Sequence, residues 1–144
     1  MSSRSDKDSS SPKKGGTTDM RQALGQLLAG ETGIEFAALV GSRSTGAAHS
    51  DSDWDIALQW DAQLDWLEIL GKTETLRRKM AAAIGVTPDK IDLIELRRAN
   101  LAMRAEVAES SSLLLGEATL AWARFLTRTW RELEEFYWER QHAA

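Results

Sequence analysis

Apolar positions along this chain switch between two periods. Met20, Leu24, Leu27 and Leu28 recur at helical spacing behind Asp19, a residue type suited to an N-cap, and Gly30 and Gly33 bracket the segment's end. FAALV (36–40) is a short unbroken apolar run ending at Gly41, the pattern of a buried strand. DWDIALQW (53–60) alternates instead, with Trp54, Ile56, Leu58 and Trp60 on one face, which predicts a half-exposed strand. Helical spacing returns over about 63–84 with Leu64, Leu67, Leu70, Leu76, Met80 and Ile84, and Gly71 is a candidate break. Pro88 precedes a third strand, KIDLIEL (90–96). A helix near 99–109, a Ser-rich turn, the short LLL segment and Gly116 then lead into a long last helix, about 118–140. There is no internal repeat. Strands alternating with helices predict an α/β sandwich, a small sheet with helices packed on it.

Residues 1–18, MSSRSDKDSSSPKKGGTT, carry one apolar side chain, the initiator Met1, and cannot bury enough surface to offset chain entropy. They are expected to form a disordered tail, with residues 19–144 as a single domain. The tail holds four cations against two anions, so the formal charge of −4 leaves −6 on the remainder. An acidic body without a basic stripe argues against nucleic acid as the main ligand and suits a basic partner or divalent cations. The chain has no cysteine, which excludes disulfides and thiolate metal sites and fits a reducing cytoplasm. Its two histidines, His49 and His142, make a histidine-rich zinc site improbable on composition. No apolar run approaches the roughly 20 residues that span a bilayer, and the N-terminus lacks the apolar core of a secretory signal. No membrane association is expected.

The chemistry concentrates in GSRSTGAAHSDSDWD (41–55). Asp53 and Asp55, two apart on a strand, leave the same face and repel each other unless a metal or proton intervenes. Oxygen ligands of this kind suit Mg²⁺, which takes one or two carboxylates and completes its shell with substrate phosphates and water. A pair of solvated aspartates at an edge strand is the plainer alternative. Gly41-Ser42 follows a buried strand, where glycine lets the backbone approach a phosphate closely. Ser42 adds a hydroxyl and Arg43 a charge, although an isolated Gly-Ser also reads as a simple N-cap. Two other motifs fail. Ala47-Ala48 stand where a Walker A loop needs Lys-Ser/Thr, and Ile56 and Ala62 stand where an EF-hand needs its glycine and glutamate.

Gly-Ser, ten residues, then Asp-x-Asp resembles the signature of the polymerase-beta-type nucleotidyltransferase superfamily. That resemblance implies a small mixed sheet packed with helices, and a third carboxylate on a following strand. Asp92 in KIDLIEL matches it; Glu95, on the opposite strand face, is the weaker candidate. With the catalytic layout filling most of the ordered chain, the sequence is similar to the minimal nucleotidyltransferases (MNT), antitoxin partners of HEPN-domain toxins. The implied activity is transfer of AMP from ATP to a tyrosine hydroxyl of the toxin, in a hetero-oligomer with it. The resemblance assigns two Mg²⁺ ions to Asp53 and Asp55, completion of one metal site and help in deprotonating the acceptor to Asp92, and the triphosphate to Gly41, Ser42 and Arg43. His49 reads as a loop residue. A purely stoichiometric antitoxin and a small-molecule, aminoglycoside-like adenylyltransferase are the alternatives. In the last helix, Trp122, Phe125, Leu126, Trp130, Leu133, Phe136 and Tyr137 form a helical stripe. Packing on the sheet is its first reading, with Trp130 in the core; docking of a helical partner is the second.

Overall fold

The computed structural model describes residues 16–48 and 52–143, apart from the side chain of Thr17. Most of the predicted tail, and His49, lie outside the described residues. Helix α1 spans Gly16–Ala29, so Asp19 sits within its first turn and does not cap it. Strand β1 (Ile34–Val40) is followed by the four-residue helix α2 (Ser42–Thr45) and by strand β2 (Trp54–Trp60). Helix α3 (Trp66–Ile84) crosses to β3 (Ile91–Glu95), and α4 (Leu101–Ser110), β4 (Ser112–Leu115) and α5 (Leu120–His142) complete the chain. The sheet order is β3-β2-β1-β4. β1 runs antiparallel to β2 and β4, whereas β2 and β3 are parallel, with α3 as the crossover that a parallel pair requires.

Helices cover both sheet faces. On one, Leu24 and Leu28 of α1 and Ile69, Leu76, Met80 and Ile84 of α3 pack with Trp54, Ile56, Leu58 and Trp60 of β2. On the other, Val107 of α4 and Phe125 of α5 meet Phe36, Ala38, Val40 and Ala57. Strand β2 is therefore central and buried on both faces from Ile56 to Trp60, not half-exposed as its alternation predicted. Alternation failed as a signal because Ala57 is small and Gln59 is buried while donating to Glu35 Oε1 at 2.8 Å.

Local chemistry sets the element ends. Asp65 caps α3 in a reciprocal capping box with Glu68, and Gly85 closes it in the left-handed conformation. Gly71 does not interrupt α3. The helix is rotated relative to the predicted face: Leu67 is 79% exposed and Leu70 is also exposed, while Ile69 is inside. Asn100 and Thr119 cap α4 and α5. The LLL segment is a fourth strand, too short to announce itself by periodicity, and Arg21 of α1 ties it down by donating to the Ser112 hydroxyl and the Leu113 carbonyl. Among the described residues no helix is long and apolar enough to cross a membrane.

Helix α5 divides into two parts. The part up to Leu133 buries Phe125, Thr129 and Leu133, and Phe125 lies within ring contact of Phe36 and Trp122. From Glu134 to Ala143 every residue is exposed. Trp130, expected in the core, is 40% exposed, because it lies well round the helix from Phe125, Thr129 and Leu133. In urea denaturation, Phe125→Ala is expected to lose about 3–5 kcal/mol, as buried aromatics do. Trp130→Ala should lose clearly less, about 1 kcal/mol, the centre of the range for point substitutions. Equal losses would mean that the aromatic stripe is core throughout.

Candidate active site

Strand pairing builds the site. Val40 faces Asp55 across the β1–β2 ladder, and Asp55 faces Asp92 across the β2–β3 ladder. The end of β1, the start of β2 and the start of β3 therefore meet at one edge of the sheet. Asp53 stands just before β2, exposed, with Lys90 Nζ 4.0 Å from its Oδ1. Asp92 is exposed and Asp55 is half-buried on the α4/α5 face, the side of Ala57.

Gly41 makes the close approach possible. Its φ of 72° is in the range that favours glycine, and a Cβ there would lie 2.7 Å from Asp55 Oδ2. Any side chain would push the carboxylate away from the turn. α2 begins with Ser42, is closed by Gly46 in the left-handed conformation, and is anchored by Ser44 Oγ donating to the Ser110 carbonyl at 2.6 Å.

Burial, foremost, and then the charges of Asp92, Asp53 and Glu106 push the Asp55 carboxyl above the usual aspartate range. Asp53 and Asp92 are thus close enough to Asp55 to oppose its ionisation. Glu106 was not singled out by the sequence; it reaches the cluster through the packing of α4, which no local pattern announces. Among the described residues no three His, Cys, Asp or Glu side chains converge tightly enough to cage a metal ion. The donor set nonetheless fits Mg²⁺, a hard cation that ordinarily takes one or two carboxylates and leaves the remaining positions to phosphate and water.

Glu95, the weaker carboxylate candidate, and Arg43, expected at the triphosphate, both make contacts within the fold. Glu95 is occupied structurally: Oε2 accepts from the Trp60 amide at 3.1 Å and Oε1 from the Arg97 amide at 2.7 Å. Arg43 does not face the carboxylates. Its guanidinium lies 4.2 Å from the ring centroid of Trp54, whose side chain leaves the sheet face opposite Asp55.

Residues 22–119 match the family model described as Polymerase beta, Nucleotidyltransferase. No curated protein matches the chain. Among solved structures, a toxin–antitoxin complex with AMP-PNP superposes with a TM-score of 0.65 at 26% identity, covering 84% of this chain and 92% of that one. The MntA–HepT toxin–antitoxin structure superposes with 0.61 at 22% identity, over 86% and 92%. A complex of tri-AMPylated Shewanella oneidensis HEPN toxin with MNT antitoxin gives 0.61 at 22%, over 87% and 92%. At 22% identity these last two speak to the fold.

Because Asp55 has a raised folded-state pKa, its ionised form opposes folding. The penalty is absent below the unfolded value near pH 4 and grows as pH rises through the folded value. In chelator at neutral pH, Asp55→Asn is therefore expected to melt at or above the wild-type temperature, with the difference shrinking as pH falls towards about 4. A variant that melts well below wild type under those conditions would make Asp55 a structural residue.

Proposed function

The chain belongs to the polymerase beta nucleotidyltransferase family, and from that premise we propose that it is an antitoxin-type protein adenylyltransferase, moving AMP from ATP to a tyrosine hydroxyl of a HEPN-family toxin and so neutralising it. The observation that carries the reading is the cross-sheet line of Val40, Asp55 and Asp92, with the Gly41 turn pressed against Asp55. It is supported by similarity to a toxin–antitoxin complex holding AMP-PNP and to one whose toxin is tri-AMPylated. A reducing cytoplasm is the compartment that this reading implies.

In this mechanism the turn at Gly41 and Ser42 receives the triphosphate, with backbone approach made possible by the missing side chain. Asp53 and Asp55 would hold two Mg²⁺ ions, and Asp92 would complete one of the sites. When bound, such ions neutralise charge on the attacking and leaving oxygens. The acceptor oxygen forms a bond to the α-phosphorus, the bond from that phosphorus to the β-phosphate bridging oxygen breaks, and pyrophosphate leaves. The hydroxyl proton passes to the Asp92 carboxylate, which is exposed and open to an incoming side chain. Burial first, and then the neighbouring charges, raise the Asp55 pKa, and a cation would relieve the part due to those charges.

A macromolecular acceptor also needs a surface on which to dock. The exposed second half of α5 offers one: Phe136, Tyr137 and Trp138 are 42%, 56% and 60% exposed, a group of aromatics of the kind that anchors interfaces. Glu134, Glu135 and Glu139 stand among them, together with Arg140, whose guanidinium lies over Phe136, so the rim of this surface carries both signs of charge.

Incubation with the HEPN toxin, Mg²⁺ and ATP, followed by intact mass spectrometry, is expected to show one or more AMP units added to the toxin. The gain should vanish with Asp53→Ala. Trp138→Ala should keep the fold and weaken the complex in calorimetry. Full neutralisation without a mass change would favour a stoichiometric antitoxin. AMP on an aminoglycoside with the toxin untouched would favour the small-molecule enzyme. Unchanged affinity of Trp138→Ala would remove α5 from the interface.

A further inference from the structure

We infer that Arg43 is a positioning residue that ties together the two ends of the loop between β1 and β2, setting the Gly41–Ser42 turn against Asp53 and Asp55. The inference rests on the reading of that edge as the catalytic site. Arg43 lies at the second position of α2, and its Nη2 donates to the Ser52 carbonyl at 2.8 Å, immediately before Asp53. Its guanidinium also lies over the ring of Trp54, which stands between the two aspartates in sequence. One side chain thus holds residues 52 and 54 from position 43, spanning the segment whose length separates the glycine turn from the paired carboxylates.

The platform is rigid. Trp54 is buried and packed among the α1 and α3 side chains, so the guanidinium rests on a core residue. Arg43 Nε is itself buried and has no hydrogen-bond partner among the described residues. A side chain free to choose would turn that N–H to water or to an anion; here the ring contact and the Ser52 bond outweigh that preference. Because successive strand residues project to opposite faces, the guanidinium lies on the Trp54 side of β2 while the Asp55 carboxylate leaves the other side. A role in holding the turn therefore fits Arg43 better than direct contact with the triphosphate beside Asp55.

Arginine and lysine separate the two roles. A phosphate contact through charge survives in lysine, whereas a guanidinium lying over an indole ring combined with a directed N–H bond does not. Arg43→Lys and Arg43→Met are compared with wild type by hydrogen exchange and by AMP-transfer kinetics on the toxin. Both variants are expected to speed exchange at the Ser44–Ala48 and Ser52–Asp53 amides by about tenfold, the mark of local opening, with α3 and α5 unchanged. In both, kcat should fall by on the order of 100-fold, the effect of a misplaced reacting group, while KM for ATP moves less than about threefold. Unchanged exchange in both variants would overturn the inference. So would normal kcat in Arg43→Lys combined with a raised KM for ATP in Arg43→Met, the pattern of a phosphate ligand. Faster exchange in α3 and α5 as well would make Arg43 a general stability residue and also overturn it. If wild type transfers no AMP, the functional reading fails, and the exchange comparison still decides whether Arg43 joins the loop ends.

Discussion

The β2 strand is paired on both sides at once, and the site depends on that double registration. Its antiparallel ladder with β1 sets Val40 opposite Asp55, and its parallel ladder with β3 sets Asp55 opposite Asp92. A one-residue slip of either ladder would turn the carboxylate to the other face, so the two hydrophobic cores that fix the register also fix the chemistry. Trp54, Ile56 and Leu58 secure β2 on the α1/α3 side, and Ala57 secures it against Phe36 and Phe125 on the other. Asp55 sits opposite Val40, the last residue of β1, just before the chain turns away through Gly41.

That placement has an electrostatic cost. A carboxylate partly withdrawn from water, with Asp92, Asp53 and Glu106 nearby, resists ionisation. Folding tolerates it because the apolar layers above and below β2 contribute far more than one unfavourable charge removes. An acidic edge held in place chiefly by packing is poised to gain from a cation, which connects the energetics of the fold to the metal chemistry proposed for it. Lys90, within 4.0 Å of Asp53, offsets part of the repulsion from outside the cluster.

Much of this was legible in the chain because it is local. The spacing of Gly41-Ser42 and Asp53-x-Asp55 is written in consecutive residues, and a strand period predicts both aspartates on one face, although Asp53 stands just ahead of β2. Asp92 needed more: its strand was visible, but its place opposite Asp55 comes from the ladder. Glu106, the short β4 and the role of Arg43 were not legible, because each depends on what packs against it. Trp130 shows the same limit from the other side. Its helical spacing was read as core, yet the body of the domain covers only the face marked by Phe125, Thr129 and Leu133. Leu67 and Leu70 were misplaced similarly, since apolar residues on both flanks of α3 left its phase ambiguous until the sheet chose Ile69, Leu76 and Met80.

On the proposed reading, Gly41, Asp53, Asp55 and Asp92 form one cation-binding, nucleotide-binding edge. That reading is tested most directly by adding Mn²⁺ with a non-hydrolysable ATP analogue to isotope-labelled protein and following paramagnetic broadening of the backbone amides. Broadening is expected to be strongest at Gly41–Ser44, Asp53–Asp55 and Asp92, to reach Glu106 more weakly, and to disappear in Asp53→Ala. Broadening centred on α5 or on α3, with the three strand ends left sharp, would contradict the account.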